Sequence, residues 1–394
     1  VAMRESRYSH SSFPGAALVA STRGVHHRRP RLLAVIFGAV MLTFTCSTAS
    51  STDPKRDGEA TAPRILPALS ERVTDSPKEF AGLAWPTEGS LVVGLSRPDA
   101  GSPVKLWSLD ARSGDLLRLP LRDDPDCRRT QFMNPVSMSG GIGLIKVCDD
   151  DIGDPSVPTT YSLLRYDLEK RQASPLILDR SIGYLDSFTV PTLAVSQSED
   201  VALLDVGNGL CGTLVWVLPE GVRYITVRIG DSDRAWELDE FFTTSERLCT
   251  AQGIAEYPTW SPVEDEVAFF ASHDAIGAVG LDRLDVSWNL YLMDTKSLEP
   301  RPVLSGITHP QGLDWSPDGR WLAFGGELSQ HGEGTWLFEP RTGEILRLAE
   351  GIMRWLAWSP DGTRIAAIQG TYASSGDIDD ILMSEVLVFE VGDN

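Results

Sequence analysis

Two copies of one unusual string constrain this sequence more than anything else in it. Residues 312–324 read G-L-D-W-S-P-D-G-R-W-L-A-F, and residues 356–368 read L-A-W-S-P-D-G-T-R-I-A-A-I. Each is a strand, a tight turn and a second strand. Leu313 and Trp315 share one face of the first strand, because side chains alternate with a period of two. In Ser316-Pro317-Asp318-Gly319 the proline presets φ at the second turn position and the glycine closes the turn, as a type I turn prefers. Residues 320–324 then resume an apolar run rich in strand formers. Repetition at a fixed spacing predicts a repeat architecture.

Aligning on Trp315 and Trp358 brings further hairpins into register. One spans residues 83–93, with Trp85, Pro86 and Gly89 in place. Another starts at Tyr257 and keeps Trp260-Ser261-Pro262, with Glu264 where the turn glycine would stand. Weaker copies begin at Val136 and Val195, leading into 142–147 and 201–204. The six register positions are Trp85, Val136, Val195, Trp260, Trp315 and Trp358, spaced roughly 43 to 65 residues apart. After each hairpin comes a third apolar strand, at 106–109, 163–166, 214–218, 290–293, 336–338 and 386–391. A fourth follows, as at 116–121 and 345–348. Four antiparallel strands repeated six times predict an all-β, six-bladed propeller of four-stranded blades. The last blade runs out of chain after its third strand. Residues 64–69 (R-I-L-P-A-L) look like its missing outer strand, so an N-terminal strand is expected to close the ring and remove exposed edges. The expected division is 1–46 as export signal or membrane anchor, 47–63 as flexible tether and 64–392 as propeller.

These repeats resemble the WD40-like repeat of the TolB-type propeller family, whose mark is the W-S-P-D-G hairpin. The resemblance covers about residues 64–392 and is strongest in blades one, four, five and six. It implies protein or peptide recognition on a propeller face.

The N-terminus speaks to compartment. Arg28-Arg29-Pro30-Arg31 precedes about fourteen apolar or small residues, then Cys46 and a Ser/Thr-rich run. A basic region, a short apolar core and small residues make an export signal. The region resembles a bacterial lipoprotein signal with Cys46 as the acylated residue. Cleavage after Ser47-Thr48-Ala49 or an uncleaved anchor are the alternatives, and all three place the body outside the cytoplasm. Net charge is −20 over 394 residues, and residues 47–394 hold 29 basic against 54 acidic groups. That balance argues against nucleic acid as a partner, because phosphate contacts need clustered cations.

Strand direction sorts the loops onto two faces. The hairpin turns on one face are tight, and the connections on the other are long: 149–161, 230–253, 271–286 and 369–384. A short helix is expected around 234–242. The four cysteines other than Cys46 map to the long-loop face. Their even number in an exported chain favours disulfides over metal, and the expected pairs are Cys127–Cys148 and Cys211–Cys249. The inner strands enter the channel from this face. Four residues before the register positions of blades four to six stand Glu256, Gln311 and Arg354, a convergent polar arc beside a concavity. With Trp355 they form the candidate binding rim.

Catalysis is poorly supported. Within residues 64–394 the only histidines are His273, His309 and His331, and there is no G-x-S-x-G. A calcium site in the channel would need several inward oxygen ligands, and the rim set holds one acid, Glu256. No catalytic residue, metal or cofactor is expected. The sequence therefore predicts a monomeric, non-catalytic envelope module that recognises a protein or peptide on the long-loop face and channel. The alternative is a channel-centred enzyme, lactonase- or lyase-like, acting on a small molecule or glycan.

Overall fold

The computed structural model describes residues 64–65, 79–96, 104–149 (save 112 and 114), 160–178, 192–208, 211–227, 235–238, 254–272, 286–372 and 381–391. The export signal, Cys46, the tether, Cys249 and most of the four long connections lie outside them.

Every described element is a β-strand. β1 (Arg64–Ile65) stands apart at the start. Blade one is β2 (Glu79–Thr87), β3 (Ser90–Ser96), β4 (Lys105–Asp110) and β5 (Leu116–Arg118). Blade two is β6 (Arg129–Met138), β7 (Gly141–Asp149), β8 (Thr160–Asp167) and β9 (Gln172–Pro175). Blade three is β10 (Leu193–Val195), β11 (Ala202–Asn208), β12 (Cys211–Leu218) and β13 (Gly221–Val227), with a fifth strand, β14 (Ala235–Leu238). Blade four is β15 (Ile254–Trp260), β16 (Glu266–Ser272) and β17 (Trp288–Asp294), completed by the first half of β18 (Pro300–Trp315). The second half of β18 opens blade five, followed by β19 (Leu322–Leu328), β20 (Gly332–Glu339) and β21 (Glu344–Glu350). Blade six is β22 (Arg354–Trp358), β23 (Arg364–Tyr372) and β24 (Ile381–Glu390). All neighbours within a blade pair antiparallel in chain order.

The innermost strands touch in sequence: β2 on β6, β6 on β10, β10 on β15, β15 on β18 and β18 on β22. β22 then returns to β2. The chain is a six-bladed β-propeller. Its core is divided into six apolar clusters, one at each interface between successive blades. The interface between the last blade and the first packs Leu83, Trp85, Leu91 and Val93 against Ala366, Ile368, Val386 and Val388.

The repeated turn has a clear chemical basis. Gly319 N donates to Ser316 O (2.8 Å) with φ +68, the left-handed region that glycine enters freely. A Cβ there would also come within 2.1 Å of Val263 Cγ2 in the neighbouring blade. Ser316 Oγ donates to Asp318 Oδ1 (2.5 Å) and accepts from Trp321 N (2.8 Å). Blade six repeats this with Ser359, Asp361 and Arg364. Burial raises the Asp361 pKa, but hydrogen bonds from Ser359 and Thr363 and the Arg364 charge outweigh it, leaving the carboxyl at about 2. Blade three lacks Pro and Gly but keeps the serine: Val201 N donates to Ser196 Oγ (3.1 Å).

Around 234–242 the described residues form a strand, β14, paired with β13, and not a helix. An open sheet edge offers the four residues Ala235-Trp236-Glu237-Leu238 a ladder of hydrogen bonds, whereas a helix this short does not repay its costly nucleus even with good helix formers. Cys127 and Cys148 form a disulfide with Cα atoms 5.4 Å apart. The pair Cys211–Cys249 falls outside the described residues through Cys249. Finally, β1 pairs with β24 as Arg64↔Val388 and Ile65↔Leu387, the outer position of blade six.

We propose that this short ladder helps to hold the ring shut. Deleting residues 47–60 is then expected to leave the unfolding midpoint unchanged. Extending the deletion through Leu69 removes two backbone pairs, worth roughly 1–3 kcal/mol together, and bares the edge of β24. Urea titration of the two truncations checks this, and equal midpoints would assign closure wholly to the apolar interface.

Candidate functional site

The inner strands share a device that the repeat pattern conceals. Five of them carry a β-bulge, between Phe80 and Leu83, Met133 and Val136, Glu256 and Thr259, Gln311 and Leu313, and Arg354 and Ala357. Each bulge contains a residue with positive φ: Gly82, Asn134, Tyr257, Gly312 and Trp355. Gly82 needs its hydrogen, since a Cβ would lie 2.5 Å from Pro135 Cδ of blade two. Tyr257 and Trp355 are bulky residues in a region where such side chains are true outliers, the kind of backbone cost that clusters at functional sites. Bulges re-aim side chains, and here Tyr257 packs against the cluster between blades four and five, edge-to-face on Phe270 at 6.4 Å, while Trp355 packs against the cluster between blades six and one.

The axis holds a cavity of about 160 Å³ lined by all six inner strands, including Asn134, Thr192, Tyr257, Asp314 and Trp355. At the tight-turn end lies a second, wider funnel of about 470 Å³. Its walls carry Trp85, Trp260, Trp315 and Trp358 with Pro86, Pro262, Pro317 and Pro360. Ser137, Val195, Trp260 and Asp314 line both spaces, so they mark the waist where the cavity meets the funnel.

Side chains staple neighbouring blades around this axis. Trp85 N donates to Ser137 Oγ (3.0 Å), tying blade one to blade two. Trp358 N donates to Asp314 Oδ2 (2.9 Å), tying six to five. The Asp205 carboxylate, 5% exposed, accepts from Thr192 N (2.6 Å), Thr192 Oγ1 (2.5 Å) and Tyr257 N (2.9 Å). That last bond holds the bulge of blade four in place.

Two titratable groups face the axial cavity. Burial pushes the Tyr257 phenol up to about 12, against the Arg354 charge that lowers it and with Asp205 adding to the rise. It stays protonated and donates to Gln311 Oε1 at 3.4 Å. Burial likewise raises the Asp314 carboxyl from 3.8 to about 7, although backbone N–H groups of Trp358 and Trp315 oppose the shift. Asp314 therefore exchanges a proton near neutrality, a property found at functional sites.

Of the four rim candidates, Trp355 lines the axial cavity. Glu256, Gln311 and Arg354 stand one step outside it, each immediately before the left-handed residue of its bulge and each half-buried. The structure brings Gln311 and Arg354 to Tyr257 through its hydroxyl and its charge environment. Sequence reasoning missed Tyr257, Asp205 and Asp314. Asp314 left a visible signal: an acid directly before the repeated tryptophan, where other blades have Ala84, Ala194, Thr259 and Ala357. Neither His309 nor His331 lines the cavity or the funnel. Among the described residues no group of three or more His, Cys, Asp or Glu is placed to hold a metal.

No family model and no curated protein matches the sequence. Solved structures do match. TolB from Acinetobacter baumannii aligns at 10% identity and a TM-score of 0.47, over 78% of this chain and 65% of that one. An oligogalacturonate lyase from Vibrio parahaemolyticus aligns at 9% and 0.44, over 80% and 92%. A puromycin-hydrolysing peptidase from Mycobacterium tuberculosis aligns at 12% and 0.45, over 84% and 54%. The likeness is to TolB-like propellers. The chain spans about two thirds of TolB's length and about half of the peptidase's.

Proposed function

We propose that this chain is an extracytoplasmic, non-catalytic binding propeller that takes a side chain of a protein or peptide partner into its axial cavity from the long-loop face. The observation that carries the reading is the size and lining of that cavity. About 160 Å³ is below the roughly 300–1,000 Å³ of a site for a drug-sized molecule, yet it suits one inserted side chain. Its lining includes the aromatic residues Tyr257 and Trp355 and the polar residues Asn134, Thr192 and Thr259. Glu256, Gln311 and Arg354 at the mouth would meet the backbone of the inserted segment. The Cys127–Cys148 disulfide and the apolar run before Cys46 support an oxidising, extracytoplasmic location.

The test is capture of an envelope partner by the immobilised full chain, repeated with Trp355→Ala and Gln311→Ala. Loss of capture in both variants, with unchanged unfolding midpoints, supports the reading, and undiminished capture sinks it. The enzyme reading has in its favour the Asp314 carboxyl, which lines the cavity and which burial pushes up to about 7. It would gain if the chain turned over a lactone or oligosaccharide and Asp314→Asn abolished that turnover.

Location has its own prediction. With Cys46 lipidated, the chain expressed in a bacterial host partitions into the membrane fraction, and Cys46→Ala alters its processing and releases it. Fractionation with immunoblotting reads the outcome, and normal processing with membrane retention of Cys46→Ala would refute lipidation.

A further inference from the structure

The waist between the two axial spaces is built differently from the rest of the channel. Four residues form it, and two adjacent blades contribute the ones with chemistry: Trp260 from blade four and Asp314 from blade five. Trp260 is half-buried, lines the funnel, and is braced edge-to-face on Trp216 at 5.9 Å. Trp85, Trp315 and Trp358 are each more than nine-tenths buried and give the wall its shape.

The charge pattern at the waist is one-sided. No lysine or arginine lines the funnel among the described residues, and Glu199 on its wall is already matched by Arg165 at 2.7 Å. The hydrogen bond to Asp314 comes from an uncharged backbone N–H, and the groups acting on its carboxyl are backbone N–H groups and burial, with no cation among them. A carboxylate in such a place gains most from a positive charge, because the low-dielectric surroundings strengthen the attraction. Trp260, half-buried and lining the same waist, adds an indole whose quadrupole attracts cations. A metal ion is disfavoured, since hard divalent cations want several oxygen ligands and the waist supplies one carboxylate. A funnel of about 470 Å³ has the size of a ligand site, and a chain of net charge −20 steers cations inward.

We propose that Asp314 and Trp260 bind an alkylammonium group that enters through the tight-turn funnel, carried by a free amine or by a lysine side chain of another protein. Trp260 and Asp314 also line the axial cavity, but the entry is from the face opposite the partner surface proposed above and uses neither Trp355 nor Gln311, so its failure leaves that reading standing.

Choline and its uncharged isostere 3,3-dimethylbutan-1-ol are the probes, titrated at matched ionic strength and pH 8 with tryptophan fluorescence and calorimetry as readouts. Choline is expected to bind saturably, and the isostere to bind at least about tenfold more weakly. Asp314→Asn retains an oxygen for Trp358 N and loses the charge, so choline affinity should fall by a similar factor. Trp260→Phe keeps a ring and should weaken choline less than Trp260→Ala does. A parallel titration with N-acetyl-lysine methylamide separates the sources. Tighter binding of the lysine derivative assigns the site to a partner's side chain, and tighter choline binding assigns it to a free amine. Equal affinity for choline and the isostere, unchanged choline binding in Asp314→Asn, or no saturable binding of either amine overturns the proposal.

Discussion

Replacing Trp85 by alanine is expected to lower the unfolding free energy by about 3–5 kcal/mol, the usual cost of truncating a fully buried large aromatic. Trp85 is 1% exposed and sits in the cluster that joins blade one to blade six. Its ring also carries the Arg364 guanidinium at 4.8 Å, and Arg364 reaches Glu88 at 2.9 Å. A stacked cation adds roughly 0.5–1 kcal/mol at an exposed site, which Arg364 would lose along with the ring. The position matters beyond its volume. Five interfaces join blades consecutive in the chain, whereas this one joins its two ends. A cavity here weakens the contact that makes the ring a ring. Urea unfolding of Trp85→Ala beside Trp260→Ala gives the comparison, because Trp260 is half-open and loses less on truncation. A loss below about 1 kcal/mol for Trp85→Ala would mean that closure rests elsewhere, with β1 the first alternative.

The architecture was legible because its local chemistry is self-contained. Ser316, Asp318 and Gly319 fix their turn through bonds within six residues, so the string reports the hairpin whatever surrounds it. The same holds in blade three, where Ser196 keeps the bond to Val201 N after proline and glycine have gone. Blade two was legible only to within one residue. The left-handed residue stands three before the tryptophan in blades one, four, five and six, and in blade two it is Asn134, three before Ser137. Ser137, not Val136, is therefore the structural counterpart, and it is Ser137 that accepts from Trp85 N.

The site was less legible for the same reason. Counting four residues back from each tryptophan assumes an unbroken strand, in which positions four and two back share a face. The bulge inserts a residue and shifts that alternation. The count therefore picked Glu256, Gln311 and Arg354, which stand one step outside the cavity lining, and passed over Tyr257 and Asp314, which line it. Bulges depend on contacts between blades, such as Asp205 to Tyr257 N, and no single repeat encodes them. β14 was misread on similar grounds, since its ladder comes from β13.

Asp314→Asn is expected to stabilise the protein at pH 8 and to do so by distinctly less at pH 5, inside the window where the cost is still building up. The Asp314 carboxyl lies at about 7 in the folded chain, against an ordinary 3.8, because burial disfavours its charge. Between those values the folded form holds a proton that the unfolded form has released. Stability therefore falls as pH rises through this window, and the full cost is present above about 7. A displacement of that size corresponds to about 4 kcal/mol at most, and water on the channel side reduces it, so about 2–4 kcal/mol is the expected gain at pH 8. Tyr257 on β15 stays protonated throughout, and the Arg354 charge acts on that phenol and not on Asp314. Urea titrations of both proteins at the two pH values read the difference directly. An equal difference at both, or a less stable variant at pH 8, would show that the carboxylate is not the destabilised group. The same experiment bears on why the acid is there. A chain that carries an uncompensated carboxylate at its waist is stabilised by whatever cation binds it. Choline should therefore raise the wild-type midpoint at pH 8 while leaving Asp314→Asn where it was.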